Sequence, residues 1–412
     1  MGITENLNLA YYQQEKDCFC GPACAQMVVD QIGGVFFDQV SLQDQIRSAS
    51  RIDPTELLRW YAPPDGLNSI LNSNAKAAGR PNSFNLVIED EEDFVSRHII
   101  WTIHNFKVAP LALVYGAAHW IAIKGYEATA APGRQFDVSY GILGFWINNP
   151  YPISTSVGTC PPPLPLSNMS STTECADLTP GQGTGNIHID YSCWQEEYMT
   201  MVPFDTSWPG KYVAICDPIP GPKESGMRVP ANVHAKGEKI IEKEIAAQFA
   251  NEAMLERGFH ELGFLNNILR NTIAGEPMLV HRIDKLNSYY YIVPMLGVKK
   301  QIHALVNIDA RYGNYRQSCF APNSENPICL KPFAKDGIMQ ILGKDMYIKK
   351  EKMHQLVFSE DVSVHPVLFW KPCKESLSPF MPFHLVTVGS EQIFVRIDGR
   401  MFSSLTANFY GI

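Results

Sequence analysis

Apolar positions recur along this chain with two different periods, and each period predicts its own kind of element. Over residues 22–32, Ala23, Met27 and Val28 fall on one stripe, Pro22 suits a first turn and Gly33-Gly34 closes the run; this predicts a helix. Shorter helices are expected over 41–48, 64–72 and 91–105. From Ala109 the texture changes. "PLALVYG", "HWIAIKGYE" and "YGILGFWINNP" are apolar, β-branched or aromatic, bounded by Gly, Asn or Pro, and predict strands of one antiparallel sheet. "EYMTMVPF" and "GKYVAICDP" predict further strands of it. Residues 235–257 then return to helical spacing, with Ile240, Ile241, Ile245, Phe249 and Leu255 recurring between Lys and Glu. A shorter helix over 263–270 follows, and after it strands at hairpin spacing run from "EPMLVHRID" to "EQIFVRIDG".

Two breaks divide this pattern. "CPPPLPLSNMSSTTECADLTPGQGTGN" is rich in Pro, Ser, Thr and Gly and reads as a long surface loop within an insertion over 151–188. "DPIPGPKESGMRVP" reads as a linker. The chain has 412 residues, beyond the length at which one hydrophobic core usually stops growing. The expected organisation is therefore α+β throughout: a helical lobe and a β lobe over 1–220, a linker over 221–234, and an accessory domain over 235–412 in which a long helix is cradled by an antiparallel sheet.

Composition narrows the function. Hydrophobic residues make up 45% and charged residues 18%, which describes a globular protein with large cores. A net charge of -8 without clustered Lys or Arg argues against nucleic acid as a partner. No apolar stretch reaches the roughly 18 residues of a membrane-spanning helix. The N-terminus has neither a basic region nor an apolar run, so a cytoplasmic location is expected, or a secreted one where a leader has been removed. Ten cysteines are too few for a disulfide scaffold, and free thiols are expected ahead of bridges, with Cys160–Cys175 and Cys319–Cys329 as the pairs that would form under oxidising conditions.

The chemistry-bearing stretch is "YYQQEKDCFCGPACAQMVVDQIGG". Cys20 precedes Gly21-Pro22 and opens the first helix, where unpaired backbone N–H groups and the helix dipole favour a thiolate. Cys18 lies outside that helix and Cys24 one turn inside it. Gln14, six residues before Cys20, is placed to donate to an oxyanion beside the Cys20 N–H, with Gln13 as its near-equivalent. His119 starts a strand, with Trp120 as cover, and Asn149, before Pro150, is placed to fix its tautomer while Asn148 points the other way. Each residue has a plainer reading. Three cysteines can be metal ligands, although no fourth is close and zinc motifs come as paired spacings. Cys20 can be a buried thiol, His119 a satisfied core histidine and Asn149 ordinary turn chemistry.

"QQEKDCFCGPAC", "HWIAIKGY" and "WINNP" together resemble the papain-like cysteine peptidase superfamily, above all its compact bacterial branch of bacteriocin leader peptidases. The resemblance covers residues 11–216. It implies a papain-like domain with Cys20 as nucleophile, His119 as base and acid, Asn149 as the residue that orients His119, and Gln14 in the oxyanion hole. It departs from the branch in having Phe19 where Asp usually stands, and Asn149 where Asp is common; a double-glycine leader is not carried over as substrate.

The expected function is thus a cysteine peptidase or amide hydrolase that needs no metal or organic cofactor and takes a peptide or protein substrate. The same groups serve an acyltransferase or a deamidase, and an inactive papain-like protein would be a binding module. The accessory domain is expected to recruit substrate or regulate the cleft.

Overall fold

The computed structural model describes residues 2–35, 37–80, 84–151, 185–203, 206–217, 239–330, 337–338, 347–350, 353–356, 362–388 and 391–406. The expected linker and residues 152–184 of the expected insertion lie outside them. The chain is a mixed α/β protein, about 29% helix and 31% strand. Among the described residues, no helix is long and apolar enough to cross a membrane.

The N-terminal half opens with β1 (Ile3–Asn6) and four helices: α1 (Cys20–Gln31), α2 (Gln39–Ala49), α3 (Pro54–Leu57) and α4 (Pro64–Ala77). Asp38 caps α2 by accepting from the Ser41 N–H at 2.8 Å. Then come β2 (Asn85–Glu89), α5 (Glu92–Trp101), β3 (Leu111–Val114), β4 (His119–Ala128), β5 (Ile142–Asn148), β6 (Asn186–Asp190), α6 (Tyr191–Cys193) and β7 (Tyr212–Cys216). The C-terminal half supplies α7 (Lys243–Glu256), α8 (Gly263–Leu269), β8 (Ile273–Ala274), β9 (Met278–Arg282), β10 (Ser288–Leu296), β11 (Ile302–Asp309) and β12 (Tyr315–Phe320). It closes with β13 (Tyr347–Lys350), β14 (Met353–Leu356), β15 (Val362–Trp370), β16 (Phe383–Val388), β17 (Glu391–Arg396) and β18 (Met401–Phe402).

All strands but the β13–β14 hairpin join one sheet, in the order β18-β17-β16-β15-β9-β10-β11-β12-β6-β5-β4-β3-β7-β2, with β1 on β4 and β8 on β10. The two halves meet where β12 pairs with β6, Ser318 opposite His188. The β15–β9 pair is parallel, so the sheet is mixed, not purely antiparallel as the hairpin spacing suggested. Strand β6 begins inside the stretch expected to be a loop. "EYMTMVPF" is not a strand: Glu197 and Tyr198 belong to a π-helical turn, Trp194–Tyr198, that follows α6. Asp190 caps α6 by accepting from the Ser192 N–H at 3.0 Å, so the chain is already helical when it enters that turn.

Helix α7 also corrects its sequence reading. It buries Ala246, Ala250, Ala253 and Met254, while Ile240, Ile245 and Leu255 are exposed. Small residues at helical spacing let the backbone lie close on the sheet, and a bulky stripe would hold it off.

The seam between the halves is ionic as well as hydrogen-bonded. Arg282 and Arg316, from the C-terminal half, both pair with the buried carboxylate of Glu197. Arg316 also reaches Asp309 at 3.0 Å, and the Tyr198 hydroxyl donates to Gln317 Oε1 at 2.6 Å. Burial opposes ionisation of Glu197, but the two guanidiniums more than offset it and hold the carboxyl down at about 2. Removing one partner of a buried pair leaves the other charge stranded. Glu197→Gln should therefore lower the unfolding free energy by about 3–5 kcal/mol, read by denaturant titration. The sign with pH follows. The folded-state value lies below the ordinary 4.5, so the stability from Glu197 is complete above that pH and is lost as pH falls towards about 2.

Candidate functional site

Helix α1 begins at Cys20, two residues earlier than its apolar stripe indicated. Its N-cap, Phe19, has no side chain able to accept from the first turn, so those amides need another partner. The Cys20 sulfur lies among those amides: the backbone N–H groups of Cys20 and Gly21 favour its ionised form, and it accepts a hydrogen bond from the Trp120 N–H at 3.2 Å. Gly21 permits this geometry, since a Cβ there would lie 2.3 Å from the Ala62 Cβ. One turn along, the Cys24 S–H donates to the Trp120 carbonyl at 3.4 Å. The first strand residues of β4 are thus docked against the first turn of α1. Trp120 is not a cover for His119. Its indole enters the helical layer, where its N–H donates to the Ala62 carbonyl at 3.0 Å.

The position does not yield a resting thiolate. Burial pushes the Cys20 thiol far above its ordinary 9.0, and the three N–H donors, which pull the other way, do not offset it. This corrects the expectation from the helix N-terminus alone. Desolvation penalises the charged form wherever the sulfur is sealed, and Cys20 is 0% exposed.

His119 is delivered by a tight turn between β3 and β4. Tyr115, Gly116 and Ala117 all adopt positive φ, at 55°, 63° and 71°, a conformation that costs the two residues bearing a Cβ. The turn is held by the Tyr115 N–H donating to the Tyr198 carbonyl at 2.8 Å. The Tyr115 ring lies nearly parallel to the His119 ring, 17° between planes and 6.4 Å between centroids.

Asn149 fixes the imidazole. Its Oδ1 lies 2.8 Å from His119 Nε2 and also accepts the Tyr151 N–H at 2.9 Å, while its Nδ2 donates to the Leu377 carbonyl at 3.1 Å. Two backbone groups of opposite kind therefore settle which end of the amide is oxygen. Because that oxygen faces Nε2, His119 carries its proton on Nε2, and Nδ1 is the ring nitrogen without one. Asn148 turns to the other face, its Nδ2 3.4 Å from the Ala10 carbonyl.

Gln14 is fully buried beside this pair. Its backbone N–H donates to the Pro150 carbonyl at 3.0 Å, and its Nε2 donates to the Lys16 carbonyl at 2.9 Å. One amide proton is thereby committed to the loop. Residues 13–15 are clamped by Gln39, the first residue of α2: its Nε2 donates to the Gln13 carbonyl at 2.7 Å and its Oε1 accepts the Glu15 N–H at 2.9 Å. Gln26 in turn accepts from Gln39 Nε2 at 3.1 Å. Neither glutamine carries a sequence signal beyond a polar side chain on a helix.

Cys18 is disulfide-bonded, against the expectation of free thiols; Cys20, Cys24, Cys193, Cys216, Cys319, Cys329 and Cys373 are thiols outside any disulfide. Among the described residues no group of three or more His, Cys, Asp and Glu could hold a metal ion. No protein-family model, curated protein or solved structure matches this chain.

The thiol environment is directly measurable. The difference in thiolate absorbance between wild type and Cys20→Ser should show no step at or below pH 9.0. A step near neutrality would contradict the sealed geometry.

Proposed function

We propose that the chain is a papain-like cysteine hydrolase that cuts peptide or amide bonds. The observation that carries this reading is one arrangement. The Cys20 sulfur sits on the backbone of the residue after His119, and His119 is held in the Nε2–H tautomer by Asn149. In the proposed reaction His119 Nδ1 takes the thiol proton as Cys20 Sγ attacks the carbonyl carbon. A protonated resting thiol makes this general-base activation, not a preformed ion pair. The Gln14 amide and the Cys20 N–H stabilise the oxyanion. The imidazolium then protonates the leaving amine, and His119 activates water against the thioester, which returns the thiol. The C-terminal half, joined through the sheet, would present substrate or regulate access.

A second reading is a binding protein that keeps this arrangement without turnover. It draws on the complete burial of both Cys20 and His119. Acyl transfer and deamidation use the same groups and differ only in the acceptor and in the bond presented.

A proteome-derived peptide mixture, incubated with the full chain, separates these readings. New termini should appear at a restricted set of sites with wild type and none with Cys20→Ser. His119→Ala should lose at least about a thousandfold in rate, and Gln14→Ala on the order of a hundredfold. Equal cleavage by wild type and Cys20→Ser, or none by either, would remove the hydrolase reading.

A further inference from the structure

The connection between β15 and β16 crosses from the C-terminal half to Asn149. Its Leu377 carbonyl accepts from Asn149 Nδ2, and its Glu375 carbonyl accepts from the Tyr151 hydroxyl at 2.7 Å. Arg396, on β17, donates to that same hydroxyl and to the Glu375 carbonyl. On the opposite flank Lys374 lies 3.5 Å from Asp17, three residues before Cys20. The turn is itself built to hold one shape. Ser376 Oγ receives the Trp370 indole N–H at 3.1 Å and lies 2.8 Å from the Met381 carbonyl. Trp370 is pinned under Arg282, 4.6 Å from ring centroid to guanidinium, and Arg282 belongs to the ionic seam. The segment meets the His119–Asn149 pair through the Leu377 carbonyl.

We propose that residues 373–381 are a positioning element of the catalytic site, so that the C-terminal half completes it by holding the Asn149 amide through the Leu377 carbonyl. This rests on reading Cys20 and His119 as a catalytic pair. The chemistry is specific. Leu377 offers only an acceptor, so the group facing it must donate. An amide satisfies both Leu377 and His119; a carboxylate satisfies His119 alone and sets an oxygen against the Leu377 carbonyl. The Asn at this position, where an orienting Asp would serve His119 equally well, is what the turn demands. The turn acts through Asn149 and is not itself catalytic.

The test is the rate of Cys20 alkylation by iodoacetamide in the full-length protein, followed from about pH 5 to about pH 9. Asn149→Asp is nearly isosteric and still accepts from His119. It should nevertheless react more slowly than wild type by on the order of a hundredfold at neutral pH, and recover at low pH, where a protonated carboxyl can donate to Leu377. Ser376→Ala, which frees the turn, should slow wild type but cost little in the Asn149→Asp background, because that variant has already lost the contact. An Asn149→Asp rate equal to wild type across the range, or full additivity of the two substitutions, would overturn the proposal while leaving the hydrolase reading intact. A wild-type rate that does not change with His119→Ala would overturn the catalytic pair, and this inference with it.

Discussion

The backbone of Trp120 lies between two cysteines of one helix, and that contact organises the site. Its N–H donates to Cys20 Sγ and its carbonyl accepts from Cys24, so the first residues of β4 are registered against the first turn of α1. A strand and a helix separated by about a hundred residues can be brought together by apolar burial alone, but burial is not directional. The two sulfur contacts supply direction. Once they are made, His119 must stand at the mouth of the helix, and the strained turn 115–117 is the consequence of starting the strand there.

From that contact a second constraint extends outward. His119 has a defined tautomer because Asn149 has a defined amide orientation, and Asn149 has one because Tyr151 and Leu377 address its two ends. Leu377 is held by Ser376, Ser376 by Trp370, and Trp370 by Arg282, which is paired with Glu197 across the seam. A buried carboxylate between two guanidiniums and the proton on one imidazole nitrogen are thus ends of one packed chain of contacts. Such a chain rewards a continuous sheet: a second half tethered only by a linker could not hold a carbonyl in hydrogen-bond contact with Asn149.

The parts of this arrangement that sequence made legible are those with a local signal. Cys-Gly-Pro before an apolar stripe announces a helix start, a histidine before an alternating run announces a strand start, and Asn before Pro announces a strand end. Leu377 was not legible, since it contributes a backbone carbonyl 228 residues from its partner and any side chain would supply the same atom. Gln39 and Gln26 were hidden because a glutamine that clamps a loop has the same pattern as one facing water. The α7 face was misread because Ala is weakly apolar, although close helix–sheet packing needs small residues more than greasy ones. The charge state of Cys20 was misread for a related reason: a helix terminus can be seen in sequence, and the completeness of burial cannot.

The account stands on His119 being the base for Cys20. Its most direct test is covalent labelling of the native protein by a peptidyl epoxide near neutral pH, mapped by peptide mass spectrometry in wild type and His119→Ala. The account predicts an adduct on Cys20 in wild type that His119→Ala abolishes, with the other thiols unlabelled in both. Labelling that spreads evenly over the free cysteines, or that reaches Cys20 equally without the imidazole, would contradict it.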